Sequence, residues 1–299
     1  MRATSGLTNE ALVTALDDAL ADKSKTTRLL EKLCVASGLP GTRANLVLAE
    51  AFAVECAGRG AKADALAFSL ATMSAEEAPG ATAKEFLPLV GVVAVGARLA
   101  STPKDAKLKK RVMALLHDAA EDTRFRVREA VPLALARVGE ATGDVLVHEL
   151  GPWMDGFFHA AAVLLAMADK RFLGTLDDAD IVIERLDEAY ALAKTAPRSA
   201  VRWPGWKALV EALSTVPAAL AARFGVRIFD RLVAWSDTEI PELRDAVEKN
   251  LRGGSGVLAG RHADDIVRVR KALEATKTPP RDPTIIVHGT RGRGKKRRR

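Results

Sequence analysis

Residues 122–131 read DTRFRVREAV, and residues 237–247 read DTEIPELRDAV. Both stretches begin with Asp-Thr and later run through an aliphatic residue, Arg, an acidic residue, Ala and Val, in that order. Asp and Thr are typical of the start of an α-helix, and the apolar residues that follow recur at helical spacing. Two matching helix starts in one chain predict an internal helical repeat.

The same pattern extends outward from these stretches over most of the chain. Apolar residues recur every three or four positions, with breaks at Gly and Pro positions such as Pro79-Gly80 and Pro204-Gly205. This spacing predicts fourteen helices, one of them over 204–222, which pair into about seven hairpins of about 40 residues each. The low aromatic content of 5%, with a single Tyr, also favours packed helices over a sheet.

A single amphipathic hairpin cannot cover its apolar face, so it stacks on the next hairpin to exclude water. We expect an acid in each turn to bind an Arg at the next helix start and so bridge neighbouring hairpins. This assigns a structural role to two pairs, Asp122 with Arg128 and Asp237 with Arg244. The predicted fold is all-α, an α-solenoid over residues 1–278, and the pattern leaves open whether it forms one superhelix or two lobes.

Two further motifs resemble a known family. Residues 37–46, SGLPGTRANL, and residues 242–252, ELRDAVEKNLR, are similar to a bacterial group of HEAT-repeat (armadillo-type) proteins of unassigned activity. The resemblance implies a right-handed solenoid of HEAT-like hairpins. A more distant likeness, at the level of the fold, is to HEAT-like alkylpurine DNA glycosylases, which cradle duplex DNA on a concave basic face. The surroundings of Trp153 and Asp155 do not match a base-recognition cleft, so no catalytic residue is carried over.

The net charge is concentrated at the C-terminus. The chain has 45 Lys and Arg against 38 Asp and Glu, a net charge of +7, and residues 279–299 hold eight basic residues and one acid. The rest of the chain is therefore electroneutral. We expect 279–299 to be a disordered basic tail, which either attracts phosphate backbones or serves only solubility. The candidate nucleic-acid contacts in it are Arg291, Arg293, Lys295, Lys296, Arg297, Arg298 and Arg299.

Two basic patches precede the tail. The predicted helix over 104–120 carries cations on one face, which is a nucleic-acid docking face or simply a solvated outer face. They are Lys104, Lys107, Lys110 and Arg111. The second patch combines cations with two tryptophans that either stack on a partner or fix a helix start onto the core. Its residues are Arg198, Arg202, Trp203 and Trp206.

Motifs that carry catalysis or bind cofactors are missing from the sequence. It contains no GxxxxGK[ST], GxSxG or HExxH pattern, and the GxGxxA spacing at 254–259 follows a predicted helix instead of a strand. The five histidines have no histidine four residues away, and Cys34 and Cys56 lie in separate helical patterns. We therefore expect no cofactor, metal or disulfide. Carboxylates at helix starts, such as Asp178, are interpreted as caps.

The sequence also predicts a protein without membrane contact. Its longest apolar stretch, 86–97, is shorter than the roughly 20 residues that a spanning helix needs. The first residues lack the apolar segment of a secretory signal, so we expect a cytoplasmic protein.

The first functional hypothesis is a non-catalytic HEAT-repeat scaffold that binds a macromolecular partner, most simply a protein, on an extended concave surface. The alternative is a nucleic-acid-associated protein of DNA maintenance or repair, in which the tail supplies affinity. Arg124, Arg126 and Arg128 would then form a docking face together with residues 104–111. A glycosylase-like enzyme is a third hypothesis that rests on fold analogy alone.

Overall fold

The computed structural model describes residues 7–252 and 260–276, and every regular element in these two ranges is helical, so the fold is all-α as predicted. The helices are α1 Asn9–Ala21, α2 Thr26–Ala36, α3 Leu46–Arg59, α4 Ala61–Ala71, α5 Phe86–Ser101, α6 Ala106–Ala120, α7 Phe125–Thr142, α8 Asp144–Glu149, α9 Phe157–Ala168, α10 Lys170–Leu173, α11 Ala179–Thr195, α12 Pro204–Leu213, α13 Val216–Phe224, α14 Val226–Trp235, α15 Pro241–Arg252 and α16 Ala263–Ala275. Short 3₁₀ turns precede four of these helices: Lys23–Lys25 before α2, Ala83–Glu85 before α5, Gly151–Asp155 before α9 and Arg198–Arg202 before α12.

Several helices begin at a polar side chain that accepts a hydrogen bond from a free backbone amide. The Oγ1 of Thr8 accepts from the amide of Ala11 at 3.3 Å at the start of α1. The carboxylate of Asp178 accepts from the amide of Asp180 at 2.8 Å at the start of α11. These contacts satisfy amides that have no partner within the helix, and the interpretation of Asp178 as a cap is confirmed.

Helix α5 lies at the centre of the core. Its 16 residues are almost all buried, and it packs against α3, α4 and α7. Small residues allow this close approach, since a Cβ atom added at Gly96 would lie 2.6 Å from the Cβ of Ala134 on α7. In the part of the chain that the structure describes, no helix is long and apolar enough to cross a membrane.

Six helices from α3 to α15 contact one another in series. Helix α3 contacts α5, α5 contacts α7, α7 contacts α9, α9 contacts α12, and α12 contacts α15. At the C-terminal side, α14 packs against α11, α15 and α16. Each member of the series therefore buries its apolar face mainly against the helix before it and the helix after it.

One predicted helix, 204–222, is two helices in the structure. Helix α12 ends at Leu213 and α13 begins at Val216, because Pro217 has no N–H to donate to the carbonyl of Leu213. Asn250 of α15 spans the break. Its amide nitrogen donates to the Leu213 carbonyl at 2.8 Å, and its amide oxygen accepts from the backbone N–H of Ala218 at 2.9 Å.

The motif at residues 37–46 forms the connection between α2 and α3. Asn45 caps α3 by accepting from the amide of Leu48 at 3.1 Å, and its amide nitrogen donates to the Ala36 carbonyl at 3.0 Å. Gly38 has a φ of +76°, a conformation that favours glycine, and a Cβ there would lie 2.8 Å from a backbone oxygen. These residues of the motif therefore have structural roles in the turn.

Candidate functional site

Several large apolar side chains that are exposed in the described part of the chain lie at or beside one groove between α7, α9 and the start of α12. This α7–α9–α12 groove has a cavity volume of about 390 Å³. It is lined by Ala120, Phe125, Arg128, Glu129, Pro132, Phe158, Ala161, Ala162, Leu165, Pro204 and Ala208.

The groove exposes large side chains that proteins normally bury. Phe125 is 58% exposed and Leu165 is 43% exposed. Trp203, next to the lining residue Pro204, is 45% exposed, and its ring lies 6.1 Å from that of Phe157. Contiguous exposed apolar patches are typical of surfaces that bind another molecule.

One arginine gives the groove a fixed positive charge. The guanidinium of Arg128 lies 4.6 Å from the Phe158 ring, and its Nη1 donates to the backbone carbonyl of Asp122. Burial lowers the pKa of Arg128, but an arginine stays protonated in proteins. Pro132 lies one turn further along α7 and has no N–H, so it cannot donate to the carbonyl of Arg128.

The first predicted pair, Asp122 with Arg128, is not formed as expected. The Asp122 carboxylate does not pair with Arg128; it accepts from Arg124, at 2.9 Å from Nε and 2.7 Å from Nη2. Arg124 also contacts the connection after α4, because it donates to the carbonyls of Met73 and Ser74. It stands just before α7, so its side chain extends back toward the end of α4.

The second predicted pair, Asp237 with Arg244, is not formed either. Asp237 is exposed, and the guanidinium of Arg244 donates to the Leu273 carbonyl and, at 3.0 Å, to the Oγ1 of Thr276. Arg244 therefore connects α15 to the end of α16, the two helices of the last predicted pair. The expected carboxylate bridge from Asp237 is not formed.

The structure separates the two tryptophans of the second basic patch. Trp206 is buried, and its Nε1 donates to the Ala193 carbonyl at 3.1 Å, so it fixes the start of α12 onto α11. Trp203 remains exposed at the groove, and Arg198 and Arg202 are exposed on the preceding 3₁₀ turn.

The predicted basic face at the start of α6 is exposed. Lys104, Lys107, Lys110 and Arg111 are all exposed, and the guanidinium of Arg111 also lies 3.6 Å above the Phe68 ring of α4. The predicted tail contacts, from Arg291 to Arg299, lie outside the described residues.

A cluster that the sequence interpretation missed lies between the end of α6 and the start of α9. Asp155 Oδ1 lies 2.9 Å from His159 Nδ1, and Asp155 Oδ2 lies 3.2 Å from His117 Nε2. The two imidazole rings stack with their centroids 3.7 Å apart. Trp153 packs edge-on against both rings. Two imidazole nitrogens and a carboxylate are a donor set of the kind that binds transition metals, and the expectation of no metal stays a prediction.

One signal in the sequence could have found part of this cluster. Asp155 and His159 are four residues apart, which places them on the same side of a helical turn. His117 comes from a different hairpin, and nothing in the sequence pattern indicates that it joins them.

No family model matches the chain, and a comparison with curated protein sequences found no significant match. Function is therefore inferred from the geometry of the chain itself.

Proposed function

We propose that this protein is a non-catalytic binding protein, a right-handed HEAT-like α-solenoid that docks a segment of a partner protein in the α7–α9–α12 groove. The observation that carries the proposal is the exposure of Phe125, Leu165 and Trp203 around one cavity.

The serial packing of helices supports the repeat architecture. In a solenoid each hairpin contacts only its neighbours, and the series from α3 through α5, α7, α9 and α12 to α15 follows that rule. Polar bridges accompany the packing, since Arg124 ties α7 to the end of α4 and Asn250 ties α15 to the break between α12 and α13.

The chemistry of the groove favours a protein partner. A cavity of about 390 Å³ lies within the range of roughly 300–1,000 Å³ typical of ligand sites, and it holds one or two large side chains. Nucleic acid in the groove would need free cations there, but Arg124 is bound to Asp122, and Arg126 donates to Glu129 at 2.7 Å. The exposed Lys104, Lys107 and Lys110 of the predicted docking face lie outside the groove lining.

The lining also defines the segment that would bind. The walls formed by Phe125, Phe158 and Leu165 suit a large apolar or aromatic anchor side chain, which loses contact with water as it enters.

The test is selection of ligands from a phage-displayed library of random peptides on the full-length protein. We expect the selected peptides to share a large apolar anchor residue. We expect Leu165→Arg to weaken their binding by at least about 10-fold, the equivalent of 1.4 kcal/mol. The matched control is Val145→Arg on α8, which changes an exposed apolar residue outside the groove and should leave binding unchanged.

Two results would contradict the proposal. One is that no peptide family is selected; the other is that Leu165→Arg and Val145→Arg bind the selected peptides equally well. If the protein selects no peptide but binds labelled duplex DNA with a steep dependence on salt, the nucleic-acid alternative replaces it.

We also propose a cytoplasmic location, where both cysteines stay reduced. Cys34 and Cys56 are free thiols in the structure, and burial raises the pKa of the Cys56 thiol to about 12.

A further inference from the structure

The cluster of His117, Asp155 and His159 brings three side chains of metal-binding type together. His159 Nε2 lies 3.0 Å from the backbone carbonyl of His117, which can only accept, so Nε2 is the ring nitrogen that donates. Nδ1 is therefore the nitrogen that can act as a ligand, and it faces the Asp155 carboxylate at 2.9 Å.

Burial fixes the His159 ring in this position. His159 is 4% exposed, and its ring is stacked on that of His117. Its Nδ1 is therefore held beside the Asp155 carboxylate, where both groups can bind one metal ion.

The surroundings are those of a metal-binding histidine. Such a histidine usually donates its other ring N–H to a backbone carbonyl or carboxylate, as His159 does to the carbonyl of His117. Donor atoms around a tetrahedral zinc ion lie about 3.3 Å apart. The nitrogen-to-oxygen distances here are 2.9 and 3.2 Å, and all three donors lie within 4.8 Å of one another.

Space beside the donors is kept open by Gly156. Its φ of −145° and ψ of 153° are extended backbone that any residue adopts, so the glycine is not required by conformation. A Cβ atom there would lie 2.8 Å from His159 Nδ1 and 3.3 Å from Glu121 Oε1. The absence of a side chain therefore leaves room between the imidazole nitrogen and a fourth oxygen donor.

We propose that His117 Nε2, His159 Nδ1 and the Asp155 carboxylate bind a divalent transition-metal ion of the zinc class, with Glu121 as an adjacent oxygen ligand. Imidazole donors select such ions over Mg²⁺ and Ca²⁺. The ion ties the end of α6 to the first turn of α9. His159 adjoins Phe158 in the chain, so the ion also fixes the α9 wall of the α7–α9–α12 groove. The proposal is independent of what the groove binds.

The test is a titration of untagged, chelator-treated full-length protein with Co²⁺ and Zn²⁺, followed by calorimetry and by the visible spectrum of bound Co²⁺. We expect one ion per chain and no thiolate absorption band. Asp155→Asn and His117→Gln should each weaken binding by more than about 100-fold, since loss of outer hydrogen bonds alone costs 10–100-fold. His148→Gln, which changes an exposed histidine on α8, should bind as the wild type does.

Gly156→Ala is the second variant, because it fills the space beside the donors without removing one. We expect it to retain the wild-type circular dichroism and to weaken metal binding by at least about 10-fold, as loss of an outer contact does. The proposal is wrong if the wild-type protein takes up no Co²⁺ or Zn²⁺. It is equally wrong if Asp155→Asn, His117→Gln and Gly156→Ala, folded by circular dichroism, all bind like His148→Gln.

Discussion

The contact network of Arg124 gives the sharpest prediction of stability. Its guanidinium forms a two-point contact with the Asp122 carboxylate and also donates to the carbonyls of Met73, Ser74 and Ala78. The Arg124 side chain is 6% exposed and that of Asp122 is 19% exposed. Arg124→Met keeps most of the volume but removes the charged partner of a partly buried carboxylate, which retains only the backbone N–H of residue 124, and leaves three carbonyls without this donor.

The expected loss follows from that burial. Removing one partner of a buried ion pair costs about 3–5 kcal/mol, and we expect the lower end, about 3 kcal/mol, since Asp122 keeps some contact with water. In a chain of this size, that loss corresponds to a fall in melting temperature of roughly 6–12 °C. Urea unfolding followed by far-ultraviolet circular dichroism measures the change in the free energy of unfolding.

The pH dependence of the same pair adds a second signature. Burial alone would raise the pKa of Asp122, but its hydrogen bonds from Arg124 hold that pKa below the usual value. A carboxyl group with a depressed native pKa adds stability above about pH 4, and the contribution is lost as the pH falls further. The difference between wild type and Arg124→Met should therefore shrink in acid.

The control is Arg227→Met, which breaks an ion pair between Arg227 and Asp180 on the surface. The two side chains are 46% and 80% exposed, and such pairs contribute less than about 1 kcal/mol. If Arg124→Met is no less stable than Arg227→Met, the assignment of Arg124 as the bridge between hairpins is wrong.

Three further predictions concern packing and thiol chemistry. Asn250→Ala should lower the free energy of unfolding by about 2–3 kcal/mol in urea titrations, because it leaves two buried backbone groups unpaired; a loss below about 0.5 kcal/mol would contradict this. Gly96→Ala should lower the melting temperature, since its Cβ overlaps α7, whereas Gly58→Ala has open space around it and should raise the stability by about 0.5–1 kcal/mol. Equal shifts for the two glycine variants would refute the close approach. Cys56 should resist iodoacetamide in the native protein at about pH 9 because burial raises its thiol pKa, and Cys34 should react first; native labelling of Cys56 as fast as in guanidinium would count against this.

Local helix signals in the sequence predicted the all-α class, but they did not predict which side chains pair. Arg124 and Arg128 lie one turn apart at the start of α7, and only the first points back to the preceding hairpin. Trp203 and Trp206 also differ, because Trp203 lies exposed beside the groove and Trp206 lies in the core. These outcomes depend on how neighbouring helices cross, which the spacing of apolar residues does not specify.

The sequence contains a signal for the break inside the predicted helix 204–222. Pro217 cannot donate to the carbonyl four residues earlier, so the residues before it favour a helix end. The signal for the His117–Asp155–His159 cluster was weaker, because only the four-residue spacing of Asp155 and His159 is visible in the sequence, whereas His117 lies on another helix. Contacts between residues far apart in sequence form only when the helices pack together.

The central claim is that a partner segment sits between α7 and α9, and photo-crosslinking tests it most directly. The photoreactive residue p-benzoyl-phenylalanine is introduced at position 165, or at position 145 on α8, and each protein is irradiated with a selected peptide. A crosslink from position 165 and none from position 145 is the expected result. Crosslinks of equal yield from both, or from position 145 alone, would show that the groove is not where the partner binds.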